Sequence, residues 1–414
     1  MDRRTFLKTV TLGAAAGLCR AGQSKALPAT RSALDPAAVE RELSAHRIAK
    51  IESKQSNDRY ARSIGRSRTG RPVGRGFGRQ IRVLTTDQGA KGGAMSGGPE
   101  DRVRGLVGAK VSDLFDLAGG TAEKAMAIDL PLHDLVGQIL KRPVCDLLGN
   151  HGPRKVPIYS GAIYFDDLET TGKLRGVERL LASCQDDFDA GYRAFKLKLG
   201  RGLHCMPSKE GQRRDIDVTL AVRGRFPDCK IVVDANDSYS VDDFLAYVTG
   251  VKDAGLYLIE EPFPENRDDL RRLRDHMSKV GCKAMVMEGE SGGGQAEGPW
   301  QYGAYSRGHV EQFYALAREK LVDVLNLDLG GVGFSRWRRV MPELVKAGVT
   351  ASPHTWAGTP RPYYCAHLAA GAGNVLIVEG IPGTASGMDY SAWKFDKGAL
   401  VVPDEPGFGL RLSL

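Results

Sequence analysis

From residue 155 to 380 the chain alternates between short apolar runs and longer segments with apolar residues at helical spacing. No other feature limits the fold so strongly. VPIYSGA (156–162), AFKLKLG (194–200), KIVVDAN (230–236), LYLIEEPF (256–263), KAMVMEGES (283–291), VDVLNLDLG (322–330), VTASPH (349–354) and VLIVEG (375–380) read as strands. Between them, 177–191, 214–226, 241–255, 268–281, 309–320, 335–348 and 361–373 read as helices. Such alternation predicts parallel strands joined by crossover helices. Eight of them predict an α/β fold closed as a TIM-like barrel. A doubly wound open sheet is the alternative, but no G-x-G-x-x-G turn opens any of the helices.

The flanks differ in pattern. Residues 36–154 read as an α+β unit, with IRVLTTDQGAKGGAMSG as strand, turn and strand and 121–149 as helices. Within it, the Gly/Arg-rich stretch 62–79 has no period and is expected to be loop. Residues 381–414, with Pro382, Pro403 and Pro406, are expected to pack back on the first unit. The start, MDRRTFLKTVTLGAAAGLCRA, has a basic head and a short apolar run. Residues 1–35 therefore resemble a twin-arginine export signal, which predicts a periplasmic protein. No other segment is apolar enough to predict membrane insertion of the mature chain.

The formal net charge of +8 is concentrated in that start and in eight arginines between residues 59 and 82. Little aromatic interleaving accompanies them, so nucleic acid is not the expected partner; an acidic small molecule is a better use of the charge. None of the seven cysteines forms a C-x-x-C pair, and a structural zinc site is not expected.

In a parallel barrel the chemistry sits where the strands end. The second strand ends in Lys196 and Lys198, the third in Asp234 and Asn236, and the fourth in Glu260 and Glu261. The fifth ends in Glu288 and Glu290, the sixth in Asp328, the seventh in His354 and the eighth in Glu379. Lysines on one strand face also suit a solvated edge strand, and a carboxylate can simply cap the next helix. Neither alternative explains ionisable groups collected at one end of seven strands. Three carboxylates on adjacent strands make a hard, all-oxygen site that suits Mg²⁺. Each lysine should lower the other's pKa, producing a base near neutral pH. A carboxylate substrate chelated to the cation becomes acidic at its α-carbon, because enediolate charge falls on the metal. His354 can face the other side of the substrate, with Asp328 holding its ring.

The elements KLK (196–198), VVDAN (232–236), IEEP (259–262), GES (289–291), NLD (326–328), SPH (352–354) and VEG (378–380) together resemble the enolase superfamily. They look most like the mandelate racemase subgroup of its mandelate racemase/muconate lactonizing branch. AIDLPLHDLVGQILKRPVCDLLG resembles the end of that family's capping domain. The resemblance implies an α+β cap (36–154) over a (β/α)₇β barrel (155–380). It implies Asp234, Glu260 and Glu290 as Mg²⁺ ligands, with Glu261 an alternative to Glu260 and Glu288 facing the same way as Glu290 on an ideal strand, Lys198 and His354 as the two acid/bases, and Lys196 and Asp328 as their assistants. Glu379 would hydrogen-bond the substrate carboxylate. Asn236, with Arg201 and His204 on an overhanging loop at 200–212, is expected to bind substrate. Relatives are often dimers or octamers, so a homo-oligomer is expected.

Two function classes follow. The first is α-proton abstraction from a hydroxy or sugar acid, leading to dehydration or to racemisation or epimerisation. Dehydration is favoured because a polar, arginine-rich cap suits polyhydroxy acids. The second is a non-catalytic exported protein that holds a carboxylate ligand through the metal.

Overall fold

The eight apolar runs form strands that all run parallel. In the computed structural model, which describes residues 33–290, 307–356 and 358–413, they span Lys155–Ile163, Ala194–Lys198, Lys230–Asp234, Leu258–Glu260, Met285–Glu288, Val324–Leu325, Thr350–Ala351 and Val378–Gly380. Residues 1–32, which carry the twin arginines and Cys19, lie outside the described residues. Neighbouring strands pair in sequence order, and Val378 of the eighth pairs with Ile158 of the first. A parallel bridge from Ala351 to Val375 joins the seventh to the eighth, so the cylinder closes.

Strand alternation sorts the side chains. Phe195, Leu197, Val233, Ile259 and Val286 point outward into the core shared with the helices. Tyr159, Ala194, Val232, Leu258, Met287, Val324 and Ile377 fill the lumen. Because residues two apart share a face, Lys196, Lys198, Asp234 and Glu260 continue the lumen side above that apolar plug. The edge-strand reading of the lysines therefore fails: Lys196 is fully buried inside the barrel.

The cap holds an antiparallel sheet of Ile48–Tyr60, Gly78–Thr86 and Lys91–Met95, backed by the helix Asp129–Leu140. The stretch 62–79 is not simple loop: Ile64–Arg66 and Pro72–Gly74 pair as a short hairpin. Half of its six arginines are spent on the protein's own acids. Arg62 pairs with Asp166 and Asp187, Arg66 with Glu169 and Arg79 with Asp58. The tail touches both parts, since Gly383–Ala385 pairs with residues 58–60 and Ala399–Val401 with the start of the first barrel strand. Six cysteines, Cys145, Cys184, Cys205, Cys229, Cys282 and Cys365, are free thiols. No helix among the described residues is long and apolar enough to cross a membrane.

The expected overhanging loop at 200–212 is mostly helical, with turns at Arg201–His204 and a long helix starting at Ser208. Arg201 is fully buried between Asp167 and Asp215, at 2.6 and 2.5 Å. It is therefore committed to these buried partners, and it ties the first strand's exit loop to the following helix. Replacing it strands two buried carboxylates. Arg201→Met is expected to cost about 3–5 kcal/mol of unfolding free energy; an unchanged denaturant midpoint would refute this.

Candidate active site

Strand register sets the site. Lys198, Asp234 and Glu260 are direct partners on three neighbouring strands, so their side chains emerge level with one another. One carboxylate oxygen each from Asp234, Glu260 and Glu290 lie within 4.8 Å of one another. Burial pushes the Glu260 carboxyl well above its usual range, and the charge of Asp234 adds to this. Burial also raises Glu290, to about 7, against the pull of His354. Glu290 Oε2 is buried with no hydrogen-bond partner. Crowded, buried, under-satisfied oxygens of this kind fit a hard divalent cation, which would neutralise their mutual repulsion.

Lys198 meets the cage at its Asp234 end. Its ammonium donates to Asp234 and, at 2.7 Å, to Asn236 Oδ1, and it lies 5.4 Å from the Tyr164 ring centre. Lys196 lies deeper and contacts three carboxylates: Asp234 at 3.1 Å, Glu260 at 3.2 Å and Glu379 at 2.7 Å. Mutual lowering of the two lysines is not what Lys196 shows. Burial opposes its charge, but Glu260 and Glu379 outweigh burial and hold its pKa well above the usual lysine value. Opposite charges in contact prevail over a like charge on the next residue but one.

His354 meets the cage at the other end. Nε2 lies 3.3 Å from Glu290 Oε1 and 3.6 Å from Glu379 Oε2, while Nδ1 is 2.9 Å from Asp328 Oδ2. Burial disfavours the imidazolium, but Glu290 and Glu379 outweigh it and raise the pKa to about 9. Glu379 is itself held by the Thr355 N–H at 2.9 Å.

Ambiguities within the doublets are resolved by the backbone. Glu260 ends its strand facing the lumen, while Glu261 turns away with φ 40° and accepts from Asn236 Nδ2 at 3.1 Å. Ideal alternation puts Glu288 and Glu290 on one side, but Gly289 has φ 120° and breaks it. Glu288 therefore shares the outward face of Val286, and Glu290 turns into the cage. Behind the wall, Glu288 gathers electrostatically with Asp237, Glu261 and Glu265.

This outer group has a pH signature. Burial, then Glu261, raises Glu265 from 4.5 to about 7. A raised carboxyl favours folding below its unfolded pKa and loses that contribution as pH climbs through its folded pKa. Glu265→Gln should thus stabilise the protein above pH 7, by about 1–3 kcal/mol, and give no such gain below about pH 4.5. Melting temperatures at pH 4.5 and 8 check the sign.

Among the residues expected to bind substrate, Asn236 is at the site, with its side chain engaged by Lys198 and Glu261. His204 is exposed on the Arg201–His204 turn, and Arg201 is committed to its ion pairs. Strand-end reading missed several residues. Tyr164, just past the first strand, stacks on Trp356 with ring centres 4.8 Å apart, and Tyr60 of the cap lies 6.2 Å from Trp356. Arg68 of the cap hairpin donates to the Asn236 carbonyl. Arg361, at the start of a helix, reaches Asp328 Oδ2 at 3.2 Å. The signal that would have exposed Trp356 is its position two residues after His354; nothing local marks Arg361.

The enolase C-terminal domain-like family matches residues 179–297 and 304–413. Among curated proteins, an arabinonate dehydratase from Saccharolobus solfataricus is 26% identical over 296 residues, covering 69% of this chain and 68% of that protein. An L-Lys-D/L-Arg epimerase from Methylococcus capsulatus is 31% identical over 183 residues, 42% of this chain and 45% of that one. Among solved structures, a galacturonate dehydratase from Geobacillus sp. superposes in two forms. A mutant complexed with Mg has a TM-score of 0.80 at 28% identity, covering 89% of this chain and 94% of that one. The complex with D-galacturonate and 5-keto-4-deoxy-D-galacturonate has a TM-score of 0.80 at 29% identity, covering 89% and 95%.

Proposed function

This chain belongs to the enolase C-terminal domain-like family, and from that premise we propose that it is a magnesium-dependent acid-sugar dehydratase. The observation that carries the reading is one three-carboxylate cage met by an amine at its Asp234 end and an imidazole at its Glu290 end. Similarity to two sugar-acid dehydratases supports the substrate class.

Asp234, Glu260 and Glu290 would hold the magnesium ion. When bound, it supplies Lewis-acid stabilisation of the negative charge that develops on the substrate carboxylate. Lys198 takes the α-proton, and Asn236 Oδ1 orients its ammonium. His354, fixed by Asp328, gives its proton to the β-hydroxyl, which leaves as water while the α–β double bond forms. The enol then ketonises to a 2-keto-3-deoxy acid. Lys196 balances the charge of Glu379 and Glu260 next to the reacting carboxylate. The aromatic wall of Tyr164 and Trp356 offers an apolar face to the carbon chain of the sugar.

Aldonic and aldaric acids incubated with the protein and Mg²⁺ in D₂O provide the test. Solvent deuterium in product and keto-acid formation are expected for at least one acid. Exchange or inversion without keto acid would instead make the protein a racemase or epimerase, the chemistry of the Methylococcus relative. Neither outcome with any acid would leave only carboxylate binding.

The Arg3-Arg4-Thr5-Phe6-Leu7-Lys8 string supports export of the folded, metal-loaded protein to the periplasm; assembly as a homo-oligomer is proposed on the family resemblance alone. Replacing both arginines by lysine should retain it in the cytoplasm, and sedimentation reads the assembly.

A further inference from the structure

We propose that Arg361 is a positioning residue for the acid step, acting on His354 through Asp328. The proposal deepens the dehydratase reading and rests on it. Asp328 bridges two strand ends. Its Oδ2 lies 2.9 Å from His354 Nδ1 and accepts from Arg361 Nη1 at 3.2 Å, and its Oδ1 accepts the Gly331 N–H at 2.8 Å. The same Arg361 nitrogen donates to the Trp356 carbonyl at 2.8 Å. One guanidinium thus ties the loop after the sixth strand to the loop after the seventh, and the acid sits between them.

The slot for this guanidinium is built by glycine. A Cβ on Gly330 would stand 2.2 Å from Arg361 Nη2 and 2.8 Å from its Cζ. A Cβ on Gly358 would stand 3.0 Å from Arg361 Cγ. A side chain at Gly330 would crowd the arginine and, with its Cβ 3.0 Å from Asp328 Oδ1, the carboxylate as well, disturbing their contact from both partners. The backbone holds the other oxygen but not this one: Oδ1 takes the Gly331 N–H, while Asp328 and His354 share only an isolated parallel bridge, with Leu329 N donating to His354 O at 2.9 Å. Without Arg361 on Oδ2, the carboxylate could pivot about its Oδ1–Gly331 contact and release the imidazole. A guanidinium fits this role, because its Nη1 carries two N–H donors, one for the carboxylate oxygen and one for the carbonyl, and its charge is not lost to titration.

Lys198 lies at the opposite end of the cage and makes no hydrogen bond with Arg361 or Asp328 among those the structure shows. The two half-reactions can therefore be separated. In Arg361→Gln, keto-acid formation is expected to fall roughly tenfold to a hundredfold, as for other partners that orient a ligand or acid from behind. Substrate KM should stay near the parent value. Deuterium exchange at the α-carbon, which depends on Lys198, should be largely kept, so the ratio of product to exchange falls. Arg361→Lys should recover part of the loss. Gly330→Ala should reproduce it from the other side of the slot. A second readout needs no turnover: in histidine-labelled protein, the Nδ1–H resonance of His354, assigned with His354→Gln, should be protected from solvent in the parent and exposed in Arg361→Gln.

An unchanged product-to-exchange ratio with the Nδ1–H signal intact in Arg361→Gln and Gly330→Ala would overturn the proposal. So would an equal fall in product and exchange, which marks a general structural role. If the parent protein turns over no acid at all, the dehydratase reading fails, and the Nδ1–H signal alone decides whether Arg361 holds the Asp328–His354 pair.

Discussion

Lys198→Ala is expected to lower both α-proton exchange and keto-acid formation by about 10²–10⁴-fold, the range that a positioned general base contributes. The expectation comes from geometry. Lys198 reaches the cage at Asp234, and the polar atoms around it, Asp234 and Asn236 Oδ1, fix its nitrogen. The fold should survive the change, because Asp234 remains paired with Lys196 at 3.1 Å. Exchange followed by NMR in D₂O separates this variant from Arg361→Gln, in which exchange persists. Lys198→Ala exchanging at the parent rate would place the base elsewhere and remove the chemical core of the assignment. Lys196 is not interchangeable with it. Its contacts with Glu260 and Glu379 favour the ammonium form, which suits charge balance rather than proton removal.

Glu290→Gln should abolish magnesium binding with little disturbance of the barrel. This ligand is paired with neither lysine, and the substitution keeps its shape while removing its charge. In the parent, Mg²⁺ at a hundred times its Kd should stabilise the fold by about 2.7 kcal/mol, since the ion binds only the assembled cage. The same concentration should leave the Glu290→Gln melting temperature unmoved. Titration calorimetry and thermal melts read the two effects directly, and chelation should remove turnover reversibly. An equal magnesium shift in parent and variant would mean that the ion binds outside the Asp234, Glu260 and Glu290 group. The sign follows from the cage itself: burial and mutual repulsion raise the Glu260 and Glu290 carboxyls, and a cation relieves both.

Local sequence carried the architecture further than the site. Period-two strands and period-3.6 helices are nearest-neighbour properties, so the barrel and its strand order were legible; the sixth and seventh strands end at Leu325 and Ala351, short of the Asp328 and His354 expected to end them. The charged ends of the second, third and fourth strands were legible for the same reason, as residues two apart share a face. What eluded sequence reading depended on backbone reversal or on partners far away in the chain. Gly289 sends Glu290 inward and leaves Glu288 behind the wall, which ideal alternation does not anticipate. Arg201 looked like a loop cation, and only the positions of Asp167 and Asp215 turn it into a buried tie. The cap arginines looked like a reserve of positive charge for a substrate. Arg62, Arg66 and Arg79 are instead paired with the protein's own carboxylates.

By itself the sequence determined that eight strands would run parallel and present acids and bases at one end, because alternation and strand length are written locally. Tertiary structure alone decided which of those groups share a charge, since Coulomb energies depend on separations that closure of the cylinder sets. It turned the second-strand lysine expected to be lowered into the ammonium of Lys196, clamped by three carboxylates. It also placed Arg361 against Asp328 across 33 residues of chain, a contact that no period in the sequence encodes.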